Sequence, residues 1–179
     1  MAVNPSSKID KSKFLDDCAV VALGSNLSGE FPSRHALLEA AVARFAGAGL
    51  PILRRSGWWR SPAWPDPSRP DYLNGVALVE TALGPAEVMA CLLALEAAFG
   101  RRRGEVNAPR TLDLDLIAHG RRVMDEPGLT LPHPRAHERL FVMGPLAQIA
   151  PAWVHPISGE AAKSLAERAT VGRGARPEV

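Results

Sequence analysis

The stretch "PRTLDLDLIAHG", residues 109–120, sets the interpretation of the whole sequence. Three leucines alternate here with Asp113 and Asp115, which is the period of a β-strand with one apolar face and one face that bears two carboxylates. Aspartate is disfavoured in strands. Two acids on one strand face therefore indicate either a face exposed to water or a face that meets something cationic.

Arginines lie immediately upstream of the two aspartates, at Arg101, Arg102, Arg103 and Arg110. The planar guanidinium group binds phosphate through two parallel hydrogen bonds. Paired carboxylates offer oxygen ligands that suit Mg²⁺, an ion usually shared with substrate phosphates. For an isolated D-x-D, a solvated sheet face is the better interpretation, but paired acids beside arginines are what phosphoryl transfer needs.

The hydrophobic pattern on both sides of this stretch predicts an alternation of strands and helices. The predicted strands are 18–26, 52–61, 72–83 and the aspartate strand, and the predicted helices are 33–47 and 85–99. Their βαββαβ order is that of a ferredoxin-like α+β sandwich, in which an antiparallel sheet carries its helices mainly on one face. The other face would present Asp113 and Asp115.

Length and composition favour a single globular domain. We expect residues 1–17 to be a disordered lead-in, 18–170 to form the domain, and 171–179 to be a loose tail. The net charge of +2 predicts neither a nucleic-acid nor a membrane partner. Two cysteines give no disulfide framework and no signal peptide is evident, so we expect a cytoplasmic protein.

Several other side chains have two interpretations at this level. Glu96, beside the apolar stripe of the second helix, is by spacing alone best taken as an ordinary helix-flank carboxylate. Tyr72 and Asn74 could stack a flat ring and bond its edge, or could simply begin a strand and stabilise a turn. His133 and His137 are not expected to bind zinc, because His133 precedes a proline and no soft third ligand is near; we place His133 near phosphate instead.

Short motifs stand in a fixed order along the chain: "ALGSNL" (22–27), "PDYLN" (70–74), Glu96 with Gly100 and Arg101, "PRTLDLD" (109–115), "LPH" (131–133) and "RLF" (139–141). This order resembles the hydroxymethyl-dihydropterin pyrophosphokinases of folate biosynthesis, over roughly residues 18–158. The combination is specific in a way that a lone D-x-D is not.

The resemblance implies a ferredoxin-like α+β fold and an ATP-dependent pyrophosphokinase. The enzyme would transfer diphosphate from ATP to the hydroxymethyl group of 6-hydroxymethyl-7,8-dihydropterin and release AMP. Asp113 and Asp115 would hold two Mg²⁺ ions with ATP, and Arg101 and Arg103 would be catalytic beside them. The implied partners are ATP and the reduced pterin, with the protein a monomer that associates with the next folate-pathway enzyme.

The resemblance also implies two sides of one site. The implied ATP side consists of Glu96, Arg101, Arg103, Arg110, Leu116, Thr130, His133 and Arg139. The implied pterin side consists of Ser61, Pro62, Ala63, Trp64, Tyr72, Asn74 and Phe141. Within it, Tyr72 and Phe141 would sandwich the pterin ring, while Asn74 and the backbone of residues 61–64 would bond its edge.

One segment departs from the family pattern, because residues 106–108 are Val-Asn-Ala where well-known bacterial members have Arg-Trp-Gly. We expect the loop 102–108 to close over ATP and to bring Arg103 to the phosphates. Two alternatives remain: a two-metal nucleotidyltransferase with a palm-like ferredoxin fold, which would yield pyrophosphate, and a non-catalytic ferredoxin-like ligand-binding or RNA-binding module. The sequence lacks the aromatic strand motif of RNA binders.

Overall fold

A computed structural model of the chain describes residues 15–63, 68–101 and 111–178. The predicted site residues Trp64, Arg103 and Arg110 lie outside these ranges, as do the predicted lid 102–108 and residues 1–14 of the predicted lead-in. None of the helices in the described part of the chain has both the length and the hydropathy needed to span a bilayer.

The described strands and helices follow the predicted βαββαβ order, with additions at the C-terminal side. In chain order they are β1 Ala19–Ser25, α1 Arg34–Arg44, β2 Ile52–Arg55, β3 Trp59–Ser61, β4 Tyr72–Val79, α2 Pro85–Ala98, β5 Asp113–His119, β6 Met124–Glu126, β7 Leu129–Leu131, α3 Leu140–Ile149, α4 Ala162–Arg168 and β8 Arg176–Pro177. Strands β6 and β7 form a separate hairpin.

The main sheet has the strand order β5-β1-β4-β3-β8, with β2 also paired to β4, and its described pairings are antiparallel. The predicted strand 52–61 is two strands, because Ser56 interrupts it: its backbone N–H donates to the Val76 carbonyl (2.9 Å) and its hydroxyl accepts the Val76 N–H (3.0 Å). Gly57, the next residue in the break between the two strands, donates its backbone N–H to the side-chain oxygen of Gln148 (3.1 Å). β3 thereby pairs with the first three residues of β4, 72–74, whereas β2 pairs with the other end of that strand.

Helices α1 and α2 cover one face of the sheet, as the hydrophobic pattern predicts. The Ser33 hydroxyl caps α1 by accepting the Ala36 N–H (3.1 Å), and the Glu87 carboxylate accepts the Gly84 N–H (2.7 Å) at the start of α2. The buried residues of both helices join the leucines of β5 in one core cluster. The alternation in the aspartate strand is confirmed: its leucines at 112, 114 and 116 are buried, while Asp113 and Asp115 are half-exposed on the opposite face.

The second face of the sheet is only partly covered. A second core cluster joins β1, β4 and β5 to α3 and α4, with Met143 and Leu146 among its fully buried side chains. This cluster lies toward one end of the strands, because it takes Val20, Leu78 and Ile117 rather than the residues around Asp113. The open half of the face is where the functional candidates collect.

Both terminal segments that the sequence predicts to be unstructured contain residues with secondary structure or long-range contacts. Residues 15–17 are helical rather than disordered, because Leu15 packs against the second core cluster. Residues 171–178 are not a loose tail: Arg176–Pro177 pairs with β3, Ala175 is buried, and Val171 forms a bridge with Arg139. The glycine-rich composition suggested a tail, but these contacts depend on partners far away in the sequence.

Candidate active site

A cavity of about 340 Å³ opens on the uncovered half of the sheet. Strand β1 forms its floor, β5 and β4 its flanks, and the segments before α3 and after α4 its walls. Its lining residues are Ala22, Leu23, Gly24, Ser61, Pro62, Tyr72, Asn74, Asp113, Asp115, His133, Arg135, Arg139, Phe141, Val142 and Val171. Nine of the predicted site residues therefore meet at one cavity.

The register of the sheet explains why acids and pterin candidates share this cavity. Gly24 of β1 lies opposite Asp113 on one side and opposite Asn74 on the other. Residues directly opposite each other in antiparallel strands point to the same face. A Cβ at Gly24 would lie 3.6 Å from the Asn74 side-chain oxygen and 3.9 Å from the Asp113 Cβ. Because Gly24 has no side chain, the cavity floor between Asn74 and Asp113 is open to a ligand.

Asp113 forms an ion pair with Arg101, which also pairs with a buried carboxylate. An Arg101 guanidinium nitrogen lies 2.7 Å from the Asp113 carboxylate and also pairs with the buried carboxylate of Glu96. The same Glu96 oxygen accepts the backbone N–H of Leu114 (2.7 Å). Helix α2 and strand β5 are thus joined directly behind the aspartate, which fixes Arg101 at the edge of the cavity.

Cationic and imidazole groups face the aspartates from the segment before α3. Burial lowers the pKa of His133, and Arg139 and Arg135 lower it further against the opposing effect of Asp115. The His133 Nδ1 accepts the backbone N–H of Arg135 (3.2 Å), so the neutral ring carries its proton on Nε2. Burial also lowers the pKa of Arg139, which still remains a cation at neutral pH.

The opposite end of the cavity is built from aromatic and amide groups. The Asn74 amide nitrogen donates to the Ser61 hydroxyl (2.9 Å), and both residues are buried. Tyr72 lies opposite Ser61 in the β3–β4 register. Phe141, at the start of α3, has the Arg139 guanidinium 5.8 Å from its ring centre. Two aromatic rings and a fixed amide are therefore available to a flat heterocycle.

Five predicted residues in the described part of the chain do not line the cavity: Arg101, which reaches it only through its ion pair with Asp113, and four others. Glu96 acts through Arg101, and the Leu116 side chain is in the core beneath the sheet. The exposed Thr130 donates its hydroxyl hydrogen to Asp125 (2.7 Å), and Ala63 is buried beside the loop that follows β3. Their assigned roles remain predictions.

Some lining residues were not predicted from the sequence. Arg135 lies within "HPRAH", a stretch that the sequence analysis considers only for zinc binding by its two histidines. The structure separates those histidines, since His133 lines the cavity while His137 faces His155 with ring centres 5.5 Å apart. Gly24 had a local signal, because "GSN" ends a buried strand. Val171 had none, since it lies in the presumed tail.

The donor set of the cavity fits a divalent ion that is shared with a ligand. Among the described residues, no group of three or more His, Cys, Asp or Glu side chains converges as a metal cage. Asp113 and Asp115 share a strand face with their Cα atoms about 7 Å apart. Two carboxylates need further oxygen ligands, and Mg²⁺ commonly takes these from substrate phosphates and water.

The fold is an α+β ferredoxin-like sandwich, and its open face carries a cavity with acids and cations at one end and aromatic rings at the other. Residues 20–151 match the family described as 7,8-dihydro-6-hydroxymethylpterin-pyrophosphokinase (HPPK). The chain belongs to this family. It is an ATP-dependent pyrophosphokinase of folate biosynthesis, which transfers diphosphate from ATP to hydroxymethyldihydropterin.

Curated relatives agree over most of the chain. The 2-amino-4-hydroxy-6-hydroxymethyldihydropteridine pyrophosphokinase of Synechocystis sp. is 43% identical over 163 residues, covering 89% of this chain and 81% of that protein. The protein of the same name from Methylorubrum extorquens is 39% identical over 144 residues, covering 79% and 87%. The family resemblance of the motifs is confirmed, and the palm-like and non-catalytic alternatives are not supported.

The fold also has a counterpart among solved structures. The crystal structure of wild-type Plasmodium falciparum HPPK-DHPS superposes with a TM-score of 0.62 at 12% sequence identity, over 84% of this chain. This chain spans less than half of that one, 44% of its length. The likeness confirms the predicted α+β fold.

Proposed function

We propose that the described cavity is the pyrophosphokinase active site, with ATP at its carboxylate end and the pterin at its aromatic end. The observation that carries this proposal is that Asp113, Asp115, Tyr72, Asn74 and Phe141 line one cavity although they come from three distant parts of the chain. A reaction between two substrates needs both held together, because positioning accounts for much of the rate of phosphoryl transfer.

Asp113 and Asp115 are proposed to hold two Mg²⁺ ions together with the ATP phosphates. Bound there, the ions would neutralise charge on the phosphate oxygens. Arg101 already pairs with Asp113, so it lies within reach of the same phosphates. Arg139 and neutral His133 would add donors from the opposite wall. Arg103 and Arg110 belong to the same proposal through the family pattern alone.

The aromatic end is proposed to hold the pterin ring between Tyr72 and Phe141. Ser61 accepts a hydrogen bond from the Asn74 amide nitrogen, which leaves the Asn74 carbonyl oxygen for the NH groups of the ring. The hydroxymethyl group would then face the carboxylate end. Its oxygen forms a bond to the β-phosphorus of ATP, the bond from that phosphorus to the α–β bridging oxygen breaks, the hydroxyl proton is released, and AMP leaves.

Replacing one carboxylate at a time tests the ATP end. We expect Asp113→Asn and Asp115→Asn to reduce AMP release in the presence of ATP, Mg²⁺ and the pterin by at least about a thousandfold, an increase in barrier of ~4 kcal/mol. The Mg²⁺ concentration that gives half-maximal rate should also rise. The matched control is Asp16→Asn, at a half-exposed aspartate 3.6 Å from Arg121, which should leave turnover unchanged. Turnover within tenfold of wild type in either site variant would refute the metal assignment.

Removing the rings tests the pterin end. Tyr72→Ala and Phe141→Ala should each weaken pterin binding by roughly 1–3 kcal/mol, the usual contribution of a base stacked on an aromatic ring. The affinity for ATP should barely change. Calorimetry with each substrate separately measures both quantities. Equal weakening of ATP and pterin binding would show that the rings are general scaffold.

The state of assembly belongs to the same proposal. We propose a monomer that associates with the next folate-pathway enzyme, a partnership supported by the fusion of the family domain into the HPPK-DHPS chain of P. falciparum. Sedimentation of the protein alone should give a single species of about the chain mass, 19.2 kDa. A stable dimer at micromolar concentration would contradict the first part.

A further inference from the structure

The C-terminal strap, residues 171–178, runs along the aromatic end of the cavity. It begins with Val171, which lines the cavity and pairs with Arg139 as an isolated parallel bridge. The Val171 N–H donates to the Glu138 carbonyl, and the Leu140 N–H donates to the Val171 carbonyl, both at 2.9 Å. The start of the strap is thereby attached to the segment that leads into Phe141.

The next residues of the strap lie directly on the proposed pterin contacts. Gly172 has a φ of +70°, and a Cβ there would be 2.5 Å from one ring carbon of Phe141 and 3.0 Å from another. The backbone of the strap therefore packs against the ring with no room for a side chain. At Gly174, a Cβ would lie 3.3 Å from two ring atoms of Pro62. Both residues that the strap touches also line the cavity.

The far end of the strap is fastened to the sheet. Strand β8 pairs with β3, and the Glu178 N–H donates to the Trp58 carbonyl (2.9 Å). The Glu178 carboxylate lies 2.5 Å from the guanidinium of Arg60 and 2.5 Å from the His35 ring. Burial acts to raise the pKa of Glu178, but the hydrogen bonds from Arg60 and His35 outweigh it and the pKa is lowered. The carboxylate is therefore ionised at neutral pH.

We propose that the C-terminal strap is a positioning segment of the pterin site, in which Gly172 sets the Phe141 ring for stacking and the Glu178 fastening holds the strap in place. The inference rests on the proposed function, because it takes Phe141 and Pro62 as pterin contacts. A ring supported on one side by fixed backbone loses little rotamer freedom when a ligand stacks on it. Without that support, part of the stacking free energy would be spent on ordering the ring.

The chain offers a matched pair of glycines for the test. Gly172 and Gly159 both have a φ of +70°, but a Cβ at Gly159 would meet nothing within 4 Å. Gly172→Ala and Gly159→Ala thus carry the same backbone strain. We expect Gly172→Ala to raise the KM for the pterin at least about fivefold, the low end for loss of one stacking contact. The KM for ATP should not change, and Gly159→Ala should change neither constant.

A double-mutant cycle separates positioning from general destabilisation. If the strap acts through the ring, Gly172→Ala should have no further effect on the pterin KM once Phe141→Ala is present. Full additivity of the two effects, or a pterin KM in Gly172→Ala equal to that of Gly159→Ala, would overturn the inference.

A second variant keeps the test decisive if Gly172→Ala does not fold. Glu178→Ala should raise the pterin KM and leave the ATP KM unchanged. Glu178→Gln retains an oxygen acceptor for Arg60, so its pterin KM should stay close to the wild-type value. No change in Glu178→Ala would overturn the inference. If Tyr72→Ala and Phe141→Ala both leave the pterin KM unchanged, the proposed pterin site fails and the inference falls with it. If they raise it while the strap variants do not, only the strap is wrong.

Discussion

Glu96 is a charged side chain in a position where chains usually place an apolar one. It is 3% exposed, and its carboxylate is satisfied by the Leu114 N–H and by Arg101. A buried charge persists only when it is paired and hydrogen-bonded. At the residue scale, Glu96 thus stabilises the junction of α2 and β5 and orients Arg101 toward Asp113.

Removing this carboxylate should be costly. Glu96→Ala leaves the buried Leu114 N–H without its acceptor and removes one of the two carboxylates that pair with Arg101, so we expect it to lower the free energy of unfolding by roughly 2–3 kcal/mol. Glu87→Ala is the matched control on the same helix, since the Glu87 carboxylate makes a single exposed contact with the Gly84 N–H; we expect a loss of about 1 kcal/mol or less. Urea denaturation measures both. Equal losses would contradict the assigned role of Glu96.

Buried histidines make stability depend on pH. Burial lowers the pKa of His155 below its ordinary value of 6.5, and His137 and Arg121 lower it further against Glu160. Because the folded state resists protonation, the unfolded state binds more protons below that value. The free energy of unfolding should therefore fall as the pH drops from about 7 to about 5.

His155→Asn tests this dependence. An Asn oxygen can accept the Ser158 N–H that the His155 Nδ1 accepts at 3.2 Å, but it does not titrate. The variant should be less stable at pH 7 and should lose less stability on acidification than wild type. Part of the dependence should remain, because the pKa of His133 is lowered as well. Identical slopes in urea titrations at several pH values would rule out His155 as a source.

At the scale of elements, the position of β3 depends on two tryptophans packed against glycines. A Cβ at Gly75 of β4 would lie 2.7 Å from the Trp58 ring, and a Cβ at Gly144 of α3 would lie 2.6 Å from the Trp59 ring. The glycine in "YLNG" therefore permits a close approach of the Trp58 ring to the backbone of β4. These contacts place the end of β3, and with it Ser61, beside Asn74.

Filling one of these contacts should destabilise the sheet. Gly75→Ala should lower the free energy of unfolding by about 1–3 kcal/mol through overpacking against Trp58. Gly47→Ala is a suitable control, because a Cβ there would meet nothing within 4 Å and its backbone conformation is open to other residues. That control should be neutral or slightly stabilising. If Gly75→Ala leaves the urea midpoint of unfolding unchanged, the Trp58 indole moves aside at no cost in free energy.

At the scale of the whole molecule, substrate binding should be visible as stability. A ligand that binds only the folded state at a hundredfold excess over its Kd adds about 2.7 kcal/mol. We expect MgATP to raise the free energy of unfolding by this amount in wild type. Asp113→Asn combined with Asp115→Asn should abolish most of the gain, as should a metal chelator. An undiminished gain in the chelator would mean that ATP binds without the ion.

The sequence by itself determined the features that depend on local periodicity and on motif order. Alternation in β5 was enough to separate the leucine face from the face of Asp113 and Asp115, because a strand's side-chain period is fixed at two. The βαββαβ order followed from the spacing of apolar runs. The motif order pointed to the family, which the comparisons confirmed.

The tertiary structure alone decided what depends on contacts between distant residues. Spacing favoured an ordinary surface role for Glu96, but burial against β5 made it a structural partner of Arg101. Residues 171–178 have the composition of a loose tail, yet they pair with β3 and pack on Phe141. A strand of two residues has almost no intrinsic preference, so its order comes from backbone pairing and from the Glu178 ion pairs, which form only after the sheet has assembled.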